Sequence, residues 1–444
     1  MVRKIILNSR SSRKRFLGVE IGDEKITTHG GLAPVKAFLD RVGLRPLLDR
    51  RLGHLGGSRY SAAEMLELLL VSKILGDTRM IEVERYSKDD AFKYFLDLLS
   101  VPAATTASRF LERMKASDLL ALQFAWAELL REQFLRGRNS IVVDVDATPL
   151  LQWGKQEGIA KGYCPQRRGG KTYSPNMAFD AKTGMPLHGV LRPGNRNSLG
   201  PVGEFEEFLD FLFAFVLRDI PRVIFRADSG YYANRVFQYL EEKGAQYVVS
   251  ARGVFFPKLK PEDIRWGQVR KGVQYGEFDY LCDNGQILRR FVVKRDHTRD
   301  AQARLDGLWD TDVVVVTNRK GRPKSIIRFY NDRGTAEQYI AEGKQGFGFA
   351  KFPSRRYLVN QIDFAGKLMA MGLLIAYREA VLPPSMRKHR PSTVRNLFVN
   401  VGAKLVRRSG QTVLRLTKAI RYRQVWDVIL ARLRLPPPTP AIAS

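Results

Sequence analysis

The run Ile141-Val142-Val143-Asp144-Val145-Asp146, closed by Ala147-Thr148-Pro149, constrains this fold more than any other segment. Branched side chains favour an extended backbone, and four apolar residues in six leave neither face for water. The run is therefore a strand inside a sheet. Arg222–Arg226 and Gln246–Ser250 repeat that texture, with helical stretches at 205–217 and 232–243 between them. Such alternation predicts an α/β fold, a mixed sheet flanked by helices. Between these elements, residues 151–172 form a Gly-, Lys- and Arg-rich loop. Tyr173–Phe179 and Pro186–Leu191 read as strands joined by Asp180-Ala181-Lys182-Thr183-Gly184.

The flanking segments differ in kind. Residues 1–138 combine a basic arm with a helical region. In it Ser61-Ala62-Ala63-Glu64 fits a capping box, Thr105 or Thr106 caps a short helix, and Ser117 caps a longer one to Leu135. The segment Thr106–Met114, with Arg109 and Arg113, reads either as a helix for a DNA groove or as a connector in a bundle. The first part of the core spans 139–251. Residues 252–327 read as a β insertion, with strands at 275–281, 287–294 and 311–317 and a hairpin turn at Asp283-Asn284-Gly285. The core resumes over 328–382 with a helix at 330–346 and a long apolar helix at 358–381. Residues 383–444 are a small basic region: a hairpin around Ser409-Gly410, an amphipathic helix at 422–433 and a Pro-rich tail.

Charge narrows the partner. Lys and Arg total 74 against 45 acids, a net +29. Six basic residues and no acid fall in the first sixteen positions, and thirteen against Asp427 alone in 386–444. An excess at both ends favours a polyanion, through counterion release and steering. Two cysteines and five scattered histidines exclude a disulfide framework and a Cys/His zinc site. The N-terminus has no apolar signal region, and Met369–Ala376, bracketed by Lys367 and Arg378, is too short to span a bilayer. These features predict a soluble cytoplasmic protein with no membrane partner.

Three acids stand where open α/β sheets gather ligands, beyond strand ends. Asp146 ends the first strand, Asp228 directly follows a later one, and Glu337 lies on a helix. Asp144 and Asp146 point the same way on their strand, so either is a candidate ligand, with Asp146 preferred at the strand exit. Carboxylates without His or Cys suit Mg²⁺ or Mn²⁺, and two such ions support in-line phosphoryl displacement. Taken singly, Asp228 is a turn cap and Glu337 a solvated helix residue. The spacing of Tyr330, Arg333, Glu337 and Lys344 argues otherwise. At about 100° per residue all four share a helical arc of about 60°, while Asp332 and Glu342 project elsewhere. A carboxylate flanked by a guanidinium, an ammonium and a phenol suits a metal-bound phosphodiester better than a packed core.

These residues resemble a known family, the DDE transposases of bacterial insertion sequences (group 1), whose last acid lies in a Y-x2-R-x3-E-x6-K signature. Tyr330, Arg333, Glu337 and Lys344 match that spacing. Asp146-Ala147-Thr148 matches an Asp-x-Thr after the first strand, Asp228-Ser229-Gly230-Tyr231 an Asp-x-Gly-Tyr segment, Leu191-Arg192-Pro193-Gly194-Asn195 an LRPGN loop, and Gly334–Gln338 a GTAEQ stretch. The resemblance covers roughly residues 20–435. It implies an RNase H-like catalytic domain, with a β insertion filling the 108 residues between Asp228 and Glu337, and an N-terminal region that recognises terminal inverted repeats. It further implies that Asp146, Asp228 and Glu337 hold two divalent ions, Mg²⁺ or Mn²⁺. Tyr330, Arg333 and Lys344 would contact phosphates of double-stranded DNA, Arg bidentately and Lys as a point charge. A homodimer on DNA, cutting the ends and joining their 3′-hydroxyls to target DNA, is the expected assembly. The rival readings are a catalytically silent DNA-binding regulator and an RNase H-like nuclease. One departure is Gly343, a poor helix former beside Lys344.

Overall fold

The computed structural model describes residues 3–7, 15–19, 24–165, 167–252, 259–282, 285–297, 312–408, 411–416 and 420–434. Turn residues Asp283 and Asn284, Ser409-Gly410 of the C-terminal hairpin, the Pro-rich tail and part of the basic arm lie outside them. At its centre is a nine-stranded mixed sheet. Its strands are β1 (Ser140–Ala147), β2 (Asn176–Asp180), β3 (Pro186–Val190), β4 (Arg222–Ala227), β5 (Gln246–Ala251), β6 (Arg265–Trp266), β7 (Val273–Cys282), β8 (Ile287–Asp296) and β9 (Val313–Thr317). The order across the sheet is β6-β7-β8-β9-β5-β4-β1-β2-β3. β4 runs parallel to both β1 and β5, and the remaining neighbours are antiparallel. The residues between the second Asp and the Glu thus extend the central sheet through β9 rather than standing apart from it.

Helices cover both the sheet and its flank. α1 (Ala62–Leu75) begins with the expected capping box, Ser61 Oγ accepting from Glu64 N and Glu64 Oε2 from Ser61 N. α2 (Ala116–Leu129) starts earlier than Ser117 would cap it. There Asp118 takes the cap's place, its carboxylate accepting the Lys115 N–H from one turn inside. The helix Ala104–Arg113 likewise starts after Ala103, ahead of both threonines and without a side-chain cap. α3 (Pro323–Asn331) opens with proline in its first turn, a position where the missing N–H costs nothing, so residues 323–327 are helical and not part of the β insertion. α4 (Thr335–Gly346) and α5 (Tyr357–Val381) follow. α5 packs on α1, α2 and β3. It is long and apolar enough to cross a membrane, but 83% of its apolar window is buried inside the fold.

Among the described residues the larger of two apolar clusters runs from Leu32 to Ile429. The two ends of the chain meet: strand Ala403–Arg408 pairs with Ile26–Thr27, and helix Arg423–Arg434 lays Val425, Trp426 and Ile429 against the N-terminal helices and α5. In the basic arm, Arg3–Leu7 and Arg15–Val19 pair as antiparallel strands.

The segment after β1, expected as a loop, is a small three-stranded flap: Leu150–Gln152 and Ala160–Lys161 each pair antiparallel with Lys171–Tyr173. Strands of two or three residues carry no readable alternation; tertiary contacts hold them. Tyr173 donates to Glu157 O at 2.6 Å, and Asn360 of α5 donates to the Tyr173 hydroxyl. The loop Leu191–Asn195 presses against the flap so closely that a Cβ on Gly194 would lie 1.9 Å from Thr172 O. Arg192 in the same loop is buried and ties Ser174 O to Glu204. The LRPGN motif is therefore the mount of the flap.

Candidate active site

Alternation along β1 places Ile141, Val143 and Val145 in the core and Asp144 and Asp146 on the opposite face. The two aspartates then part company. Asp144 is fully buried beside Arg226 of β4, its partner in the parallel register, which grips it bidentately at 2.6 and 2.8 Å. Burial pushes the Asp144 carboxyl up and Arg226 opposes that. Arg226 also stacks on Phe329 of α3 and donates to its carbonyl, so this pair fastens β1, β4 and α3 together. Asp144 has no free oxygen to offer. Arg226 was not singled out from sequence, although a guanidinium inside an apolar strand was itself a signal that a buried acid lay opposite.

Asp146 lies two residues on, where the parallel pairing with β4 has ended, and is 8% exposed. Asp228 follows β4 directly and caps the single turn Ser229–Tyr231, with Oδ1 accepting from Gly230 N at 2.9 Å. Its other oxygen turns towards β1. Between the two carboxylates lies Arg333, its Nη2 3.2 Å from Asp146 Oδ1 and 3.6 Å from Asp228 Oδ2. Burial pushes Asp146 up to about 6; Arg333 opposes the shift, while Asp228 and Glu337 add to it. Burial disfavours the charge on Arg333, but Asp146 and Asp228 outweigh it and hold the guanidinium above its ordinary range. Glu337, in the first turn of α4, is exposed.

Lys344 also reaches this place from α4. Its Nζ donates to Thr148 Oγ1 at 2.6 Å, just past the end of β1. Burial pushes its ammonium down, with Asp146 opposing. α4 runs unbroken through Gly343, whose missing side chain admits Phe349: a Cβ there would lie 2.2 Å from the ring. The doubt that Gly343 raised about Lys344 is thus resolved by packing. Glu342, by contrast, is buried and accepts from Ser392 N at 2.7 Å.

The single helix expected over 330–346 is in fact two. Tyr330 belongs to the end of α3, Arg333 to a 3₁₀ turn over Asp332–Gly334, and Glu337 and Lys344 to α4. Gly334, weak in an α-helix, stands where the chain tightens from 3.6 towards 3.0 residues per turn. Arg333, Glu337 and Lys344 still face the Asp146 side. Tyr330 is half-buried and packs against the cluster of Val248, Val292, Val315, Ile326 and Ile327.

Among the described residues no group of three or more His, Cys, Asp or Glu is gathered closely enough to hold a metal by itself. Two carboxylates do converge on one cation, the guanidinium of Arg333, and a third acid stands close enough to raise the nearer aspartate. All the donors are hard carboxylate oxygens, which fits Mg²⁺ or Mn²⁺ better than a softer ion.

No curated protein matches the chain. Among solved structures, a piggyBac transposase synaptic complex with hairpin DNA aligns over 82% of this chain and 78% of its own, at 10% identity and a TM-score of 0.42. That likeness is too slight to carry weight. Residues 10–438 match the family described as Transposase DDE domain group 1, and the chain accordingly belongs to that family.

Proposed function

We propose that this chain is the DNA transposase of an insertion sequence, which binds terminal inverted repeats, hydrolyses DNA at the transposon ends and joins the freed 3′-hydroxyls to target DNA. One observation carries the reading. Asp146 and Asp228, from the ends of adjacent parallel strands, converge on a single positive charge with Glu337 beside them. Family membership supports it. The sheet's run of three antiparallel strands, β3-β2-β1, followed by the parallel β4 and β5, underlies our reading of the core as RNase H-like.

In this reading Asp146, Asp228 and Glu337 hold two divalent ions, Mg²⁺ or Mn²⁺. When bound, such ions activate a water or a 3′-hydroxyl and steady the leaving oxygen. Arg333 balances the charge of the two aspartates until then and opposes the rise that burial gives Asp146. Its planar fork also suits a phosphate of the cleaved strand. Lys344 orients the Thr148 turn and adds a point charge beside that phosphate, with Tyr330 as the third contact of the stripe. The net charge of +29 draws double-stranded DNA, and cutting two ends together calls for a homodimer on DNA.

A strand-transfer assay with Mg²⁺, using labelled duplexes from the DNA flanking the gene, tests this reading. Joined products are expected. Binding without cleavage would identify a silent regulator, a reading favoured only by the guanidinium between the aspartates. Equal cleavage of duplexes lacking the flanking repeats would identify a nuclease.

A further inference from the structure

The flap after β1 carries two strongly exposed aromatic side chains. Trp153 is 76% and Tyr163 84% exposed, each just beyond the end of a flap strand. Single exposed aromatics are ordinary on a protein surface; here two project from the loops of one small sheet. The charge around them is one-sided. Lys155, Lys161, Arg167, Arg168 and Lys171 are all exposed. Against these five stands a single acid, Glu157, also exposed, with one carboxylate oxygen accepting from Tyr357 N at 2.9 Å. The Arg167 guanidinium stands over the Trp153 ring, 4.6 Å from its centroid.

Trp153 also forms part of the wall of a cleft of about 440 Å³ between the flap and the helical region, lined by Gln152, Gln156, Arg79 and Lys351 among others. The Gln156 side-chain oxygen, Oε1, is buried there with no hydrogen-bond partner among the described residues. An unmatched acceptor in a basic, aromatic-walled cleft is suited to a ligand with both donors and a π-face. Three residues separate Asp146 from the first flap strand, so the flap follows directly on the strand that carries Asp146.

We propose that the flap is a stacking platform for unpaired DNA nucleotides beside the cleaved strand. Trp153 and Tyr163 supply the faces on which bases stack, and the exposed lysines and arginines of the flap neutralise the phosphates, as in other single-strand-binding surfaces. The inference rests on the DNA reading above and adds which state of the DNA is held, and where.

Fluorescence anisotropy of the full chain with two probes tests it: a blunt duplex, and the same duplex with a single-stranded oligothymidine extension. The extension is expected to tighten binding by about tenfold or more, the scale of one or two stacked bases. Trp153→Ala with Tyr163→Ala should abolish that gain and leave the blunt-duplex Kd within about twofold. Trp153→Phe, which keeps a ring, should retain most of it. If the double variant kept the full gain, or weakened both probes equally, the stacking role would be overturned while the DNA reading stood. Equal binding of the two probes by the unaltered chain would overturn it in the same way. Failure to bind either probe would overturn both.

Discussion

At the scale of single residues, Arg333 decides how the candidate site behaves before metal arrives. Its guanidinium lies between Asp146 and Asp228, where without it two carboxylates would face each other at the edge of the core. Arg333→Ala should therefore cost about 1–3 kcal/mol of stability in the presence of EDTA, less than a fully buried pair because Asp228 is half exposed. Added Mg²⁺ should then raise the melting temperature of the variant more than that of the parent, since no guanidinium competes for the carboxylates. Thermal denaturation with and without Mg²⁺ reads both effects, and an equal Mg²⁺ shift in the two proteins would refute the competition. Much of this residue-level picture was legible beforehand. Asp146 and Asp228 were set by strand ends, whereas the single-helix stripe through Tyr330 and Arg333 was not, because the helix breaks at Asp332–Gly334. What spacing could not reveal was that Arg333 faces the acids themselves, or that Asp144 is consumed by Arg226. Both depend on which strand lies beside β1, a long-range fact.

Elements were legible in proportion to their length. β1, β4, β5 and α5 carry runs of apolar residues long enough to impose a period, and they form within a few residues of where the pattern puts them. The flap strands carry no such pattern and exist because Gly194 lets the loop Leu191–Asn195 lie against them. Gly194→Ala would drive a Cβ into Thr172 O. It should destabilise the chain by about 1–3 kcal/mol or more, the range for overpacking, as measured by urea denaturation. The 3₁₀ turn at Asp332–Gly334 escaped the helical arithmetic for a related reason, since a period of 3.6 assumes the helix it is meant to detect. His188 on β3 provides a second test at this scale. It is buried with its ring stacked on Phe211 at 4.3 Å, and burial pushes its imidazole down to about 3 from an ordinary 6.5. The folded chain thus refuses a proton that the unfolded chain accepts. The corresponding stability is fully present above about pH 6.5 and is lost as pH falls towards 3. His188→Phe should flatten that acid limb in denaturation curves collected across the window; an unchanged slope would refute the buried neutral imidazole.

For the whole molecule, the sheet unites parts that the sequence separates. β1 and β4 bring Asp146 and Asp228 to one edge, and β7, β8 and β9 fill the interval before α3 without displacing it. α3, the tight turn and α4 then return Arg333, Glu337 and Lys344 to that same edge. The basic ends of the chain close against each other through Ala403–Arg408 and Ile26–Thr27, a union invisible in the composition of either end. That the three acids serve one purpose is the central claim we propose. Its most direct test is Mg²⁺-dependent cleavage of end DNA by the unaltered chain and by Glu337→Ala. Glu337 is exposed at the start of α4, so its loss should leave folding intact and DNA affinity within about threefold while abolishing cleavage. Cleavage by Glu337→Ala at the parent rate would contradict the account.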